Sequence, residues 1–220
     1  MFSRVISRSF AATTTHVTGG LALFFYLYTF CCAGNGSPGE LKFLAVGCGP
    51  YKQMEQAWLE DCIALENSRD QGEFFVHLGD LIPGGKPAPP SYYEKIALTL
   101  RRSEMPGFIV PGDNEWNDQT DPDHAWKVWS GIFMNHHSFW DHGGSLRRKY
   151  PTSDGVQHST RHTENFSFVC RGVLVVGISL TGGRIHDASE RDQRLLDSAH
   201  WVRQNYHQFH AQVRGAVVLA

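Results

Sequence analysis

The chain has 220 residues, of which 41% are hydrophobic and 19% are charged, so it has enough apolar material for one folded domain and too few charges for a disordered chain. Its formal net charge of -2 excludes the overall basic character that general nucleic-acid binding needs. The five cysteines contain no Cys-x-x-Cys spacing, which argues against a zinc knuckle or a thioredoxin-type site.

Residues 1–40 have the character of a targeting leader followed by a linker. Arg4 and Arg8 precede an apolar run over residues 21–33, and no acidic residue comes before position 40. This run resembles the core of a secretory signal peptide and is shorter than the ~20 residues of a membrane-spanning helix. We therefore expect entry into the secretory pathway, as an extracellular protein or one anchored to a membrane through this segment, although an organelle transit peptide also fits. In a secretory compartment the Asn-x-Ser tripeptides at Asn35 and Asn165 would accept glycans.

Beyond the linker, the hydrophobic pattern alternates between strand-like and helix-like segments. Short apolar runs that end at a glycine or a polar turn predict buried strands, and segments with apolar residues three or four apart predict helices. Strand, helix, strand, helix, strand in the first half indicates a mostly parallel α/β arrangement, and the turn at Arg171-Gly172 indicates a β-hairpin. The predicted strands cover residues 41–46, 74–78, 107–110, 166–170, 173–180 and 213–220, and the predicted helices cover 53–68, 92–102, 121–133 and 188–206.

The loops after the first three predicted strands carry the candidate functional residues. In open α/β sheets, ligands bind at the carboxyl ends of the strands, where such loops project into one crevice. Two of the loops place a carboxylate directly after a glycine, in Gly79-Asp80 and Gly112-Asp113. A glycine allows the sharp turn that holds a hard oxygen ligand in place, so the pattern indicates a metal site at this edge of the sheet.

Two motifs within these loops resemble those of a known enzyme family. Val76-His77-Leu78-Gly79-Asp80 and Gly112-Asp113-Asn114-Glu115-Trp116 resemble the second and third motifs of the calcineurin-like metallophosphoesterases, in the branch whose third motif reads Gly-Asp-Asn-Glu-Trp. The resemblance covers residues 41–220 and implies a layered α/β fold with two β-sheets flanked by helices. It also implies hydrolysis of phosphate mono- or diesters with two divalent metal ions, of Fe, Zn or Mn, and therefore a phosphate-ester substrate.

The resemblance assigns a role to each matching position. Asp80 would bridge the two metal ions, and Asp113 would hold the second of them. A metal pair of this kind turns a bridging water into hydroxide and offsets charge on the transferring phosphoryl group. Asn114 stands where many members have a proton-donating His, and an amide there would orient a phosphate oxygen by hydrogen bonding.

Two features depart from the family pattern. Cys48 stands where the family has the Asp that binds the first metal ion, and a thiolate there would favour zinc or iron over Mg²⁺ or Mn²⁺; taken alone, Cys48 would be interpreted as a small buried residue. The family's later histidine motifs do not occur before Ala220, so we expect a domain that is truncated at its C-terminus and binds metal weakly. The alternative functions are a non-catalytic, truncated phosphoesterase-like protein with a structural or binding role, and an α/β binding module without phosphoesterase ancestry.

Several other polar residues have simpler interpretations. His77 fits a histidine packed within a strand better than a metal ligand. His136, His137 and His142 lie in an aromatic, polar segment without paired ligand spacing and are interpreted as surface histidines. Asp118 is interpreted as a cap of the segment that follows it.

Overall fold

The structure, a computed structural model, describes residues 11–14, 23–29, 41–69, 72–140, 155–180 and 182–220. These residues form two β-sheets, four α-helices and a short 3₁₀ helix. The strands are β1 Ala11–Thr14, β2 Leu23–Thr29, β3 Leu41–Gly47, β4 Phe74–His77, β5 Gly107–Ile109, β6 Gln157–His158, β7 Phe166–Cys170, β8 Val173–Gly177 and β9 Gly215–Leu219. The helices are α1 Gln53–Arg69, α2 Pro90–Leu100, α3 Pro122–Phe133, the 3₁₀ helix His136–Trp140 and α4 Ala188–Phe209.

The first sheet has the order β1-β2-β3-β4-β5, and its last three strands are parallel. Helices α1 and α2 connect these strands, as the alternating hydrophobic pattern predicts. Phe43 pairs with Phe74, and Phe75 pairs with Gly107, so the carboxyl ends of the three strands lie at one edge of the sheet. That edge carries the three loops with the candidate functional residues.

Strand β2 lies within the segment that resembles a targeting leader. It pairs antiparallel with β3, from Leu23 opposite Gly47 to Thr29 opposite Leu41. None of the helices in the described part of the chain combines the length and the apolar character needed to cross a membrane. The interpretation of residues 1–40 as a leader and linker stays a prediction.

The second sheet has the order β6-β7-β8-β9 and contains the predicted hairpin. Strands β7 and β8 are antiparallel, with Cys170 opposite Val173. Arg171 and Gly172 both have positive φ, 48° and 71°, which is the conformation of a two-residue type I′ turn. Helix α4 then returns the chain to β9, which is parallel to β8. The polar segment 143–161 lies mostly outside the described residues.

The two sheets pack face to face, with helices on their outer sides. Alternate residues of β3 point to opposite faces: Leu44 and Val46 pack against the core under α1, α2 and α3, whereas Phe43 and Ala45 pack toward the second sheet. Between the sheets, Phe74 meets Phe168 edge to face with ring centroids 5.0 Å apart. Each fully buried aromatic ring of this kind contributes about 1.5–3 kcal/mol through the area it removes from water. The chain is therefore an α/β protein with two sheets flanked by helices.

Asn165 is buried against helix α4, contrary to the prediction that it accepts a glycan. Its Oδ1 accepts a hydrogen bond from the backbone N–H of Ser179 (2.7 Å), and its Nδ2 donates to Ser198 Oγ (3.2 Å). Both ends of the amide are thus used in holding β7, β8 and α4 together. Asn35 lies outside the described residues.

The prediction that His136 and His137 lie at the surface is wrong for His136, and His137 is half-buried. His136 is only 3% exposed and lies against Phe133 and Trp140, with ring centroids 5.7 Å and 5.4 Å away. His137 stacks on Phe108 of β5 at a centroid distance of 5.6 Å. The 3₁₀ helix turns these histidines inward, onto the first sheet. His142 lies outside the described residues.

Candidate functional site

The loops after β3, β4 and β5 are joined through their backbones. The N–H of Cys48 donates to the carbonyl of Gly79 (3.1 Å), and the N–H of Gly49 donates to the carbonyl of Asp80 (2.7 Å). Gly79 touches the third loop so closely that a Cβ on it would lie 2.1 Å from the backbone nitrogen of Gly112. Only glycine fits at this contact, which brings the two Gly-Asp pairs together.

Glu115 organises the second and third loops. Its carboxylate is fully buried and accepts hydrogen bonds from the backbone N–H groups of Asp80 (2.7 Å), Leu81 (2.5 Å), Ile82 (3.3 Å) and Gly112 (2.9 Å). Burial raises the pKa of Glu115 to about 7, and the hydrogen bonds from the backbone of Gly112, Asp80 and Leu81 oppose that rise. All four partners are donors, so the ionised carboxylate matches its surroundings. The sequence analysis included Glu115 in a motif but missed this role.

His77 links the first loop to the second through hydrogen bonds to the backbone of each loop. Its Nδ1 accepts from the N–H of Gly79 (3.1 Å), which leaves Nε2 to donate to the carbonyl of Gly49 (2.9 Å). Burial lowers the pKa of His77 to about 4, so the ring is neutral. Both ring nitrogens are bonded to backbone, in agreement with the interpretation of His77 as a packed strand histidine.

Asp80 and Asp113 converge at the site. Asp80 Oδ1 accepts from the backbone N–H of Asn114 (3.4 Å), and its Oδ2 lies 3.6 Å from the thiol of Cys48. Burial and then the negative charge of Asp113 raise the pKa of Asp80 to about 6. Among the described residues, no Lys or Arg forms an ion pair with either aspartate. Two neighbouring carboxylates therefore share the site without a basic partner from this part of the chain.

Cys48 lies at the surface of the site, and its interpretation as a buried residue is wrong. Its φ of 56° and the φ of 58° at Asp80 place both residues in the left-handed region, which is uncommon for residues other than glycine. Burial of the sulfur and the charge of Asp80 raise the pKa of the Cys48 thiol. Without a cation nearby, the thiol keeps its proton and donates to Asp80. Strained backbone of this kind is concentrated at functional sites.

Asn114 is held by the backbone of the second loop. Its Nδ2 donates to the carbonyl of Ile82 (2.8 Å), and the N–H of Asn114 donates to Asp80. The carbonyl oxygen Oδ1 faces Gly84, where an added Cβ would come within 2.7 Å of it. The side-chain amide is therefore fixed in direction by the second loop, while the backbone N–H of Asn114 contacts Asp80.

The loop after β8 covers Asp113 from the side of the second sheet. A Cβ on Gly182 or Gly183 would lie 3.2 Å or 2.6 Å from Asp113 Oδ2. Asn117 holds this loop in place, because its Nδ2 donates to the carbonyls of Gly182 (2.7 Å) and Arg184 (2.6 Å). The sequence analysis did not identify this loop as part of the site. The pair of adjacent glycines after a predicted strand is the feature of the sequence that could have indicated it.

Asp118 binds the same loop instead of capping its own segment. Its Oδ1 accepts from the backbone N–H of Arg184 at 2.6 Å, and its backbone N–H donates to the carbonyl of Asp113 at 3.0 Å. The interpretation of Asp118 as a cap is therefore wrong, because its side chain binds the backbone of Arg184 and not the segment that follows it. Asp118 links the third loop of the first sheet to the loop of the second.

Some of the donor atoms at the site suit a divalent cation, and others do not. Asp80 and Asp113 supply hard carboxylate oxygens, and Asn114 follows Asp113 with its backbone N–H bonded to Asp80. The protonated Cys48 thiol does not fit as a ligand until it loses its proton. In the described part of the chain, no three or more His, Cys, Asp or Glu side chains are grouped so that they could hold a metal ion.

Comparison of the chain with known protein families and with curated proteins finds no match. Its function is therefore inferred from the residues and geometry of this site.

Proposed function

We propose that the chain is a metal-dependent phosphoesterase of the calcineurin-like type, which hydrolyses phosphate mono- or diesters at Asp80 and Asp113. The observation that carries the proposal is the meeting of these carboxylates at the carboxyl ends of parallel strands, without a basic partner among the described residues. Two sheets flanked by helices are consistent with that family's layered fold. The proposed secretory location rests on residues 1–40 alone.

Asp80 and Asp113 are the residues that would hold two divalent ions, of Fe, Zn or Mn, with Cys48 and Asn114 at the edge of the site. When bound, such ions supply a hydroxide nucleophile and offset the charge of the phosphoryl group. Burial and then the negative charge of Asp113 raise the pKa of Asp80, and the repulsion between the two carboxylates supports this assignment because a cation would relieve it.

The remaining residues position the site and bind substrate. Glu115 and His77 hold the loop backbones, so the carboxylates keep their places whether or not substrate is present. Asn114 would orient a phosphate oxygen through the amide hydrogen that it does not use on Ile82. Burial raises the pKa of Tyr51, whose phenol lies close to Cys48, so this hydroxyl stays protonated and would donate a hydrogen bond to a substrate oxygen.

A second candidate function is a non-catalytic phosphoesterase-like protein with a binding or structural role. It is favoured by the protonated thiol at the position of the first metal ligand and by the lack of a three-ligand group among the described residues. In this case the site would bind metal weakly and would not turn over substrate.

The test is hydrolysis of an aryl phosphate and of its diester by the purified chain with Mn²⁺, Zn²⁺ or Fe²⁺. Asp80→Asn and Asp113→Asn keep the size of each side chain, and Asn tolerates the positive φ of position 80. We expect each to lower the rate by about 100-fold or more. The matched control is Asp61→Asn on the exposed face of α1, which should leave the rate unchanged.

The two functions predict different outcomes. Turnover that the aspartate variants abolish and the control retains supports the phosphoesterase. Metal-dependent stabilisation that requires Asp80 but comes without turnover supports the binding protein. Turnover that is equal in all variants means that hydrolysis does not occur at this site, and overturns the proposal.

A further inference from the structure

His137 and His158 approach each other through one nitrogen of each ring. Their Nε2 atoms are 3.4 Å apart, whereas the ring centroids are 4.8 Å apart with 25° between the ring planes. The rings are thus closer at the Nε2 ends than at their centres, so the two nitrogens converge. The histidines come from different elements, since His137 belongs to the 3₁₀ helix and His158 to β6.

The partner of His158 determines which of its nitrogens has a free lone pair. His158 Nδ1 lies 2.7 Å from the carbonyl oxygen of Thr163 and therefore carries the proton of a neutral ring. The lone pair of Nε2 then points toward His137. Metal-binding histidines show this arrangement, with the other ring N–H donated to a backbone carbonyl.

The separation of the two nitrogens suits a shared metal ion better than a direct hydrogen bond. A direct bond from an N–H donor is normally about 2.7–3.2 Å long, shorter than the distance between these atoms. Two imidazole nitrogens bound to one tetrahedral Zn²⁺ at about 2.0–2.1 Å are about 3.3–3.4 Å apart. The observed distance of 3.4 Å agrees with that geometry.

The surroundings of the pair provide a second observation. A cavity of ≈ 10 Å³ is lined by both histidines, by His136 and by aromatic rings that include Phe108 and Phe166. His136 is almost fully buried there, and neither of its ring nitrogens has a hydrogen-bond partner. Buried polar atoms without a partner are uncommon in folded proteins. A bound ion with a water ligand in this cavity would give His136 a partner.

We propose that His137 and His158 form a second metal site, distinct from the Asp80 site, that binds a zinc-like transition metal ion through the two Nε2 atoms. Imidazole nitrogen suits Zn²⁺ and disfavours Mg²⁺, which prefers oxygen ligands. The 3₁₀ helix packs on β5 of the first sheet, and β6 belongs to the second, so the ion links the two sheets. Its function is to stabilise their packing.

The test is binding of Zn²⁺ to the full chain carrying Asp80→Asn and Asp113→Asn, so that the first site does not contribute. Calorimetric titration should show one Zn²⁺ bound per chain, and the melting temperature should rise with Zn²⁺ but not with Mg²⁺. His137→Gln and His158→Gln remove the imidazole nitrogen and should each weaken binding by about tenfold or more. His207→Gln, at an exposed position on α4, is the matched control and should bind Zn²⁺ like the parent.

The outcomes are decisive in both directions. A chain that binds no Zn²⁺, or variants at 137 and 158 that bind it within about twofold of the parent, overturn the proposal. If either variant does not fold by circular dichroism, the absorption spectrum of the Co²⁺-loaded parent decides. Bands of tetrahedral Co²⁺ with nitrogen ligands support the site, and a spectrum with oxygen ligands alone overturns it.

Discussion

The buried carboxylate of Glu115 accepts a hydrogen bond of 2.7 Å from the backbone N–H of Asp80, a residue 35 positions earlier in the chain. The same oxygen accepts from Gly112, and the other accepts from Leu81. One side chain thus holds the backbone at both of the Gly-Asp pairs that form the candidate site. The position of Asp80 depends on this contact as much as on its own strand.

Replacement of Glu115 by Gln should destabilise the fold. The amide nitrogen cannot accept a hydrogen bond, so at least one buried backbone N–H loses its partner. We expect the free energy of unfolding to fall by about 1–3 kcal/mol, measured by urea denaturation. Glu94→Gln on the exposed face of α2 is the control and should change it by less than about 0.5 kcal/mol. Equal stabilities of the two variants would contradict the role of Glu115.

The repulsion at Asp80 should make stability depend on pH in a defined direction. Burial and the charge of Asp113 raise the pKa of Asp80 from an ordinary 3.8 to about 6, so between these values the folded chain binds more protons than the unfolded chain. This contribution is fully present below about pH 4 and is lost as the pH rises through about 6. In EDTA, Asp80→Asn should therefore gain stability relative to the parent chain between about pH 4.5 and about pH 7.5, measured as the urea midpoint. A difference that stays constant over this range would show that folding does not raise the pKa of Asp80.

Gly112→Ala should disrupt the site. An added Cβ would lie 2.1 Å from Asp80 Oδ1 and 2.6 Å from the backbone nitrogen of Asp80, so the two loops must separate. We expect a loss of about 2 kcal/mol or more in unfolding free energy, together with loss of any stabilisation by Mn²⁺. Gly131→Ala is a matched control, because a Cβ at this helical position meets nothing within 4 Å and should stabilise α3 by about 0.5–1 kcal/mol. A folded Gly112→Ala chain that still responds to Mn²⁺ would argue against the contact.

Arg194 should be important for the packing of α4 against the site loops. It is buried, pairs with Glu164, which is 2% exposed, and lies with its Cζ 4.2 Å from the ring centre of Trp116. Arg194→Met removes the guanidinium that pairs with the buried carboxylate of Glu164, leaving His162 Nδ1 at 3.7 Å, and should cost about 3–5 kcal/mol in unfolding free energy. Arg161→Met removes a guanidinium that is 69% exposed and should cost at most about 1 kcal/mol. Similar losses in the two variants would mean that the burial of Arg194 contributes little.

Local patterns predicted strands β3, β4, β5, β7, β8 and β9, the four α-helices and the two Gly-Asp turns, because periodicity and glycine placement act over a few residues. The roles of Glu115 and Asp118 depend on partners in other loops, and a glutamate or aspartate in a turn has the same local pattern whatever it binds. The approach of Gly182 and Gly183 to Asp113 joins the two sheets across a long chain separation. No short-range pattern could indicate it.

The histidines of the 3₁₀ helix are a second example in which the local pattern was insufficient, because it predicted exposure. His136 and His137 follow one another in a polar, aromatic segment, which locally resembles a surface loop. Their positions result from the packing of the 3₁₀ helix on Phe108 of β5 and Phe133 of α3, and His136 also contacts Trp140 of its own helix. Cys48 was predicted to be buried for its residue type, but it is exposed and its thiol contacts Asp80 of the neighbouring loop.

Strand β3 supplies alternate side chains to the core under the helices and to the core between the sheets. If β3 detaches, both cores lose its side chains. Unfolding of the helical layer and separation of the two sheets are therefore coupled in one transition. A one-residue shift in the pairing register of β3 would move each of its side chains to the opposite face of the sheet. Misfolded states that differ from the native one only in this register are therefore strongly destabilised. The shared strand thus makes folding cooperative across the whole layered body and keeps the loop that carries Cys48 in register with its neighbours.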